Sequence, residues 1–176
     1  MQFILFTESE KQLYKNDIIE MMKESDQDFV PPLSSRNSTT QKDLKGGESS
    51  IEGLLSYYSQ MNTQCILGAI CDGELLGFVS FKENYDNDVI AKSDFPNVYL
   101  STLIVKKAAR GKKLTVRLYE HLFEQLYPNA NIFTRTWSTN AAHINILGKF
   151  GFSLIKTIKD DRGVGIDTVY FAKKRI

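Results

Sequence analysis

The segment Val105-Lys-Lys-Ala-Ala-Arg-Gly-Lys-Lys-Leu-Thr115 joins two readable elements. Before it, Tyr99-Leu-Ser-Thr-Leu-Ile-Val105 is apolar and β-branched, which predicts a buried strand. After it, Leu114, Leu118, Leu122 and Leu126 recur every fourth residue, which predicts one apolar helical face. The turn between them is short, basic and contains Gly111. Such a strand–turn–helix unit points several backbone N–H groups at one spot and adds the positive end of a helix dipole. It therefore suits a phosphate or pyrophosphate, and Arg110, Lys112 and Lys113 add to the attraction. The plainer alternative is a solvated basic turn.

The segment resembles the acyl-CoA-binding loop of GNAT-type N-acetyltransferases, often written V-x-P-x-x-R-G-x-G-x-G. Val105, Arg110 and Gly111 fall in register. Lys107 stands where Pro is common, Lys113 replaces the second Gly, and Thr115 replaces the final Gly or Ala. Glycine lets backbone approach a phosphate closely, and Lys113 does not match it where a positive φ is needed. With negative φ, the Lys113 N–H still donates and the Thr115 hydroxyl adds a donor.

A second stretch, Trp137-Ser-Thr-Asn140-Ala-Ala-His143-Ile-Asn-Ile-Leu147-Gly-Lys-Phe-Gly151-Phe152, follows another strand-like run over residues 131–137. In the family, the strand after the CoA-loop helix leads into a helix that begins near an Asn and ends in Gly-Phe. Asn140 and Gly151-Phe152 match that spacing. The resemblance makes Asn140 a partner of the CoA pantetheine or phosphate arm. Gly151 reads physically as a left-handed helix C-cap.

The resemblance implies an α/β fold: a GNAT-like mixed, strongly twisted sheet of six or seven strands flanked by helices, in one acyltransferase domain over residues 1–176. It implies acetyl-CoA as cosubstrate, no metal, and a primary amine of a small molecule or protein as acceptor. It also implies that the fourth strand offers free backbone N–H groups, by position those of Leu103, Ile104 and Val105, to the cosubstrate. The loop residues Arg110, Gly111, Lys112, Lys113, Leu114 and Thr115, with Asn140, complete the expected cosubstrate contacts. A non-catalytic acyl-CoA-binding or interaction protein with the same fold is the alternative.

At 176 residues with net charge +1, the chain has room for a sizeable core and no global basic field for nucleic acid. No apolar run approaches membrane-spanning length. Cys65 and Cys71 lie about 20 Å apart along one predicted strand, too far to bond. They read as small core residues of a reduced, cytoplasmic protein, with no Cys/His cluster at metal-ligand spacing. A homodimer is left open.

Along the chain, residues 3–6 predict a strand. Residues 8–24 predict a helix with Leu13, Ile18, Met21 and Met22 on one side, capped by Thr7 or Ser9. Pro31-Pro32 ends regular structure, and residues 33–47 read as a long loop. Residues 48–61 predict a helix carrying Ile51, Leu54, Leu55, Tyr57 and Tyr58. By resemblance this region helps form the acceptor site, so Arg36, Tyr57 and Tyr58 are acceptor candidates, against the alternative of an exposed Arg and two core tyrosines. Two apolar runs, 64–71 and 74–82, flank Asp72-Gly73 and predict a hairpin. Residues 153–158 and 168–174 predict a closing hairpin. Gly163 and Gly165 belong to its turn, since no helix follows them.

The family's usual general acid is a Tyr seven residues after the Asn, and this chain has Leu147 there. Leu cannot donate a proton. His143 lies one turn earlier on the same helical face and is the catalytic candidate; the alternative is a partly buried or capping histidine. Tyr99 and Ser101 on the fourth strand, with Ser138 and Thr139, are candidates to contact acceptor or relay water. No general base is identifiable.

Overall fold

The computed structural model describes residues 1–44 and 47–175. Seven strands form one sheet in the order β1-β2-β3-β4-β5-β7-β6. They are β1 (Gln2–Leu5), β2 (Cys65–Cys71), β3 (Glu74–Glu83), β4 (Asn97–Val105), β5 (Asn131–Trp137), β6 (Ser153–Ile158) and β7 (Thr168–Lys173). All neighbours are antiparallel except β4 and β5. Both predicted hairpins form, β2–β3 around Asp72-Gly73 and β6–β7 around the glycine-containing turn.

Helices cover both faces. The stripe of Leu114, Leu118 and Leu122 packs α4 (Leu114–Glu120) onto Leu67, Val79 and Leu100, beside α5 (Ala141–Lys149). The helical run continues through a π turn over His121–Leu126, where Tyr127 N–H reaches back to Leu122 O. The opposite face buries Ile18, Met21 and Met22 of α2 (Lys15–Ser25) with Leu54, Tyr57 and Met61 of α3 (Ile51–Met61).

Several local expectations change. The predicted helix over 8–24 is two helices, α1 (Glu8–Leu13) and α2, broken at Tyr14 with φ −94° and ψ 10°. Tyr14 stacks on Phe6 with ring centroids 5.3 Å apart. The break turns Tyr14 inward and leaves Leu13 70% exposed. Thr7 is the cap, its N–H donating to the Glu10 carboxylate at 2.9 Å. The helix expected from residue 48 begins at Ile51 because Ser50 caps it, accepting from Gly53 N–H at 2.9 Å. Ile51 and Leu55 face outward. Cys65 and Cys71 are free and partly exposed at the two ends of β2; Cys65 packs against the edge of the core. Gly46 of the long loop lies outside the described residues.

That loop is firmly tied. Asp26 accepts from Ser34 N–H at 2.8 Å and from the Ser34 hydroxyl at 2.7 Å. Gln64 donates to Thr39 Oγ1 at 2.6 Å, and Leu33 and Leu44 are buried. The result brings Arg36 and Thr39 against the sheet.

Candidate functional site

Strands β4 and β5 pair from Asn97–Asn131 to Leu100–Thr134 and then part. The cause is visible in the register of β4 against β3. Ser80 faces Thr102 and Phe81 faces Leu100, so Ser101 is an extra, bulged residue. Beyond it β4 follows β3 to Val105, while β5 follows β7 to Trp137. The wedge between them is a cavity of about 440 Å³.

Lys106 N–H donates to Leu76 O across the β3 side. Successive backbone groups of a strand point to opposite sides, so those of Val105 and Leu103 point into the wedge. Arg110 Nε, donating to Val105 O at 3.2 Å from the open side, agrees with this. Ile104 turns its backbone toward β3 and its side chain under the α2–α3 layer.

The turn after β4 is anchored by the buried Ala109. Gly111 has φ +77° and Lys113 φ +58°. Lys113 thus does adopt the left-handed conformation, at the expense of strain that glycine would avoid. Among the described residues, the N–H groups of Gly111, Lys112, Lys113, Leu114 and Thr115 have no acceptor in the protein. Lys112 and Lys113 are exposed, Leu114 packs its side chain in the core, and Thr115 lines the cavity. Arg110 also lines it, but its Nη2 donates to Asp28 Oδ2 at 2.8 Å and to Ser25 Oγ at 3.0 Å. Its charge bridges the turn to the end of α2.

Asn140 is the N-cap of α5. Its Oδ1 accepts from His143 N–H at 3.3 Å and its Nδ2 donates to Thr136 Oγ1 at 3.0 Å. At the other end of α5, Phe152 N–H bonds Leu147 O and Gly151 N–H bonds Gly148 O, both at 3.1 Å, with Gly151 at φ +79°. This is the left-handed C-cap read from the sequence. Asn140 and His143 both line the cavity, whereas Leu147 is fully buried in the core.

His143 Nε2 lies 2.8 Å from the hydroxyl of Tyr119, a buried residue of α4 that also forms cavity wall. The sequence reading missed Tyr119, which sits one residue past the leucine stripe. Burial pushes the Tyr119 phenol well above its ordinary value and the His143 imidazole down to about 4. In the unfolded chain the imidazole binds a proton below about 6.5, but in the folded chain only below about 4. The unfolded chain therefore holds more protons in that window, and stability falls as pH falls through it. About 3 kcal/mol is expected to be lost between pH 6.5 and 4, and chemical denaturation of His143→Gln should show a flatter profile there.

The other proposed residues are placed differently. Tyr99 is buried in a small cluster with Ile90, Phe133 and Tyr170 and is not part of the cavity wall. Ser101 lines the cavity, with its hydroxyl held by Ser80 at 2.9 Å and by Gln64. Ser138 Oγ accepts from Asp167 N–H, and Thr139 is exposed. Tyr57 holds the Thr102 hydroxyl at 2.7 Å, and Tyr58 bonds Asn62.

The cavity wall also carries three arginines, Arg36, Arg135 and Arg162, with Phe29, Thr39 and Trp137. Of these, Arg36 is an acceptor candidate from the sequence. The sequence does not mark Arg162, and for Arg135 the signal is an Arg within the apolar run 131–137. Among the described residues no group of three or more metal-ligating side chains occurs, and no helix is long and apolar enough to cross a membrane.

Comparison with known proteins agrees with this geometry. The profile of the Acetyltransferase (GNAT) family matches residues 20–152. A search of curated proteins gives no match. Among solved structures, ribosomal-protein-alanine N-acetyltransferase from Brucella melitensis superposes with TM-score 0.67 at 15% identity, covering 99% of each chain. The structure of yncA from Salmonella typhimurium with its cofactor acetyl-CoA superposes with TM-score 0.65 at 15% identity, covering 99% of this chain and 93% of that one. An aminoglycoside 6'-N-acetyltransferase complexed with coenzyme A gives 0.65 at 14% identity, covering 100% and 98%. The seven-stranded mixed sheet flanked by helices is the fold of these proteins.

Proposed function

The chain belongs to the Acetyltransferase (GNAT) family, and from that premise we propose that it transfers an acetyl group from acetyl-CoA to a primary amine. The observation that carries this is the run of amides without acceptors at residues 111–115, in the turn that follows the freed β4 backbone and that sends Arg110 and Thr115 to the cavity wall. Five consecutive N–H groups without acceptors fit the anionic oxygens of a pyrophosphate.

When bound, acetyl-CoA supplies an activated thioester. Gly111, Lys112, Lys113, Leu114 and Thr115 hold its phosphates through backbone N–H groups. Leu103 and Val105 offer strand amides to the pantetheine arm and to a developing oxyanion, and Asn140 sits beside that arm. Tyr119 and His143 keep a proton on the cosubstrate side: the phenol stays protonated and the imidazole stays neutral at pH 7. Together they take the place of the missing family Tyr at Leu147. Tyr99 and Ser101, turned to protein partners, act through the shape of the strand.

The buried Leu147 and the Arg110–Asp28 pair favour a second reading, a protein that binds acyl-CoA without turnover. Calorimetry with acetyl-CoA is expected to give a Kd from low micromolar to sub-millimolar, the ordinary range for a cosubstrate. Absence of binding at millimolar acetyl-CoA overturns both readings. Binding without thiol release across an amine panel leaves the second.

A further inference from the structure

We propose that the acceptor is a small amine whose other end is an oxyanion, carboxylate or phosphate, held by Arg36, Arg135 and Arg162. The proposal deepens the acetyltransferase reading and rests on it.

Arg36 and Arg162 are only 8% and 6% exposed, yet both line the cavity, and the partly buried Arg135 lies beside them. Among the described residues no carboxylate comes within 4.0 Å of any of the three guanidinium groups. Their partners are neutral. Arg36 Nε and Nη2 donate to Pro31 O at 3.0 and 2.8 Å. Arg162 donates to Val30 O at 2.6 Å and Thr168 Oγ1 at 2.9 Å. Arg135 donates to the Tyr170 hydroxyl at 3.4 Å. Asp161, next to Arg162 in sequence, accepts from the Thr168 hydroxyl at 2.5 Å. A guanidinium has five N–H donors, so each of the three keeps donors in reserve.

Aromatic rings lie against two of them. Arg36 lies over Phe29 at 5.5 Å and Arg162 over Trp137 at 5.8 Å, and the two rings are 5.8 Å apart. These ring contacts use no N–H donor, so donors remain for a ligand, which suits recognition of an oxyanion. Burying like charges together is costly without an anion. Burial, with the Arg36 and Arg135 charges, presses Arg162 down to about 9, so at pH 7 it remains charged under strain.

The same field bears on the reaction. A nearby ammonium is disfavoured by like charge, so its pKa falls toward the neutral, attacking form. This lessens the demand on a dedicated base. Polycationic amines are repelled. The cavity, about 440 Å³ and shared with the cosubstrate arm, keeps the acceptor small.

Trp137 is the sole tryptophan, so its fluorescence reports binding without any turnover. Titration with L-glutamate and O-phosphoethanolamine is expected to give a saturable change. Ethanolamine and spermidine should give none. The two oxyanion probes distinguish carboxylate from phosphate. Arg135→Gln and Arg162→Gln should weaken the oxyanion response about tenfold or more while acetyl-CoA affinity by calorimetry is unchanged. A role confined to stapling the Val30-Pro31 segment would instead lower Tm and leave the probe preference intact. Should the Gln variants not fold, Arg135→Lys keeps the charge and removes the fork, and wild-type discrimination decides alone. Equal response to ethanolamine overturns the proposal. So does silence toward glutarate and inorganic phosphate on the order of 10 mM, or variants that weaken acetyl-CoA but not the amine. Failure of acetyl-CoA to bind overturns the acetyltransferase reading and leaves the fluorescence result to be judged separately.

Discussion

His143→Ala is expected to lower kcat about 10²-fold with acetyl-CoA affinity nearly unchanged, the low end of what a positioned acid or base contributes. The thiol of the leaving group has an ordinary pKa of about 8.5, so protonation assists its departure without governing it. Tyr119→Phe should give a similar loss, because the 2.8 Å contact makes the phenol and imidazole one unit. The double variant should then fall little further than either single one. Since burial holds the imidazole neutral down to about 4, wild-type kcat should show no histidine inflection between pH 5 and 8. Restoring a tyrosine by Leu147→Tyr should not rescue the loss. Leu147 is 0% exposed within the core, and overpacking there costs about 1–3 kcal/mol. Wild-type turnover of His143→Ala with the true acceptor would remove the pair from the mechanism.

Gly111→Val should weaken acetyl-CoA binding by about tenfold or more, and Lys112→Ala by about threefold at most. An ideal Cβ at Gly111 meets no protein atom within 4 Å, so the fold itself has room for a side chain. The penalty has two other sources. A β-branched residue at φ +77° is strained by about 1–3 kcal/mol, and relaxing that strain turns the free amides of 111–115 away from their common target. Lys112 is exposed and offers only a screened charge. Calorimetry at one ionic strength compares them. Equal affinities for the two variants would mean that the turn does not touch the cosubstrate.

Much of this was legible in the residues. The hairpin around Asp72-Gly73, the leucine stripe from Leu114, and the Gly151 cap are set by local periodicity and turn chemistry, and they formed as read. The strand–turn–helix unit at Val105–Thr115 and the Asn140 start of α5 likewise depend on near neighbours in sequence. What sequence did not settle depends on contacts between distant segments. The break at Tyr14 comes from its stacking on Phe6 and from nothing in the periodicity of residues 8–24. The wedge in the sheet follows from one bulged residue, Ser101, whose extra position exists only relative to β3. The same bulge turns the Ser101 hydroxyl to Ser80 and Gln64. Tyr119 meets His143 because α4 and α5 pack on one face, 24 residues apart in sequence. The arginines come from a loop, a strand and a turn at positions 36, 135 and 162, and converge only when that loop folds over the open sheet. Local sequence thus determined most of the elements and the basic turn after β4. Tertiary packing alone decided which polar groups share the cavity, since their meeting requires long-range closure that no local pattern encodes.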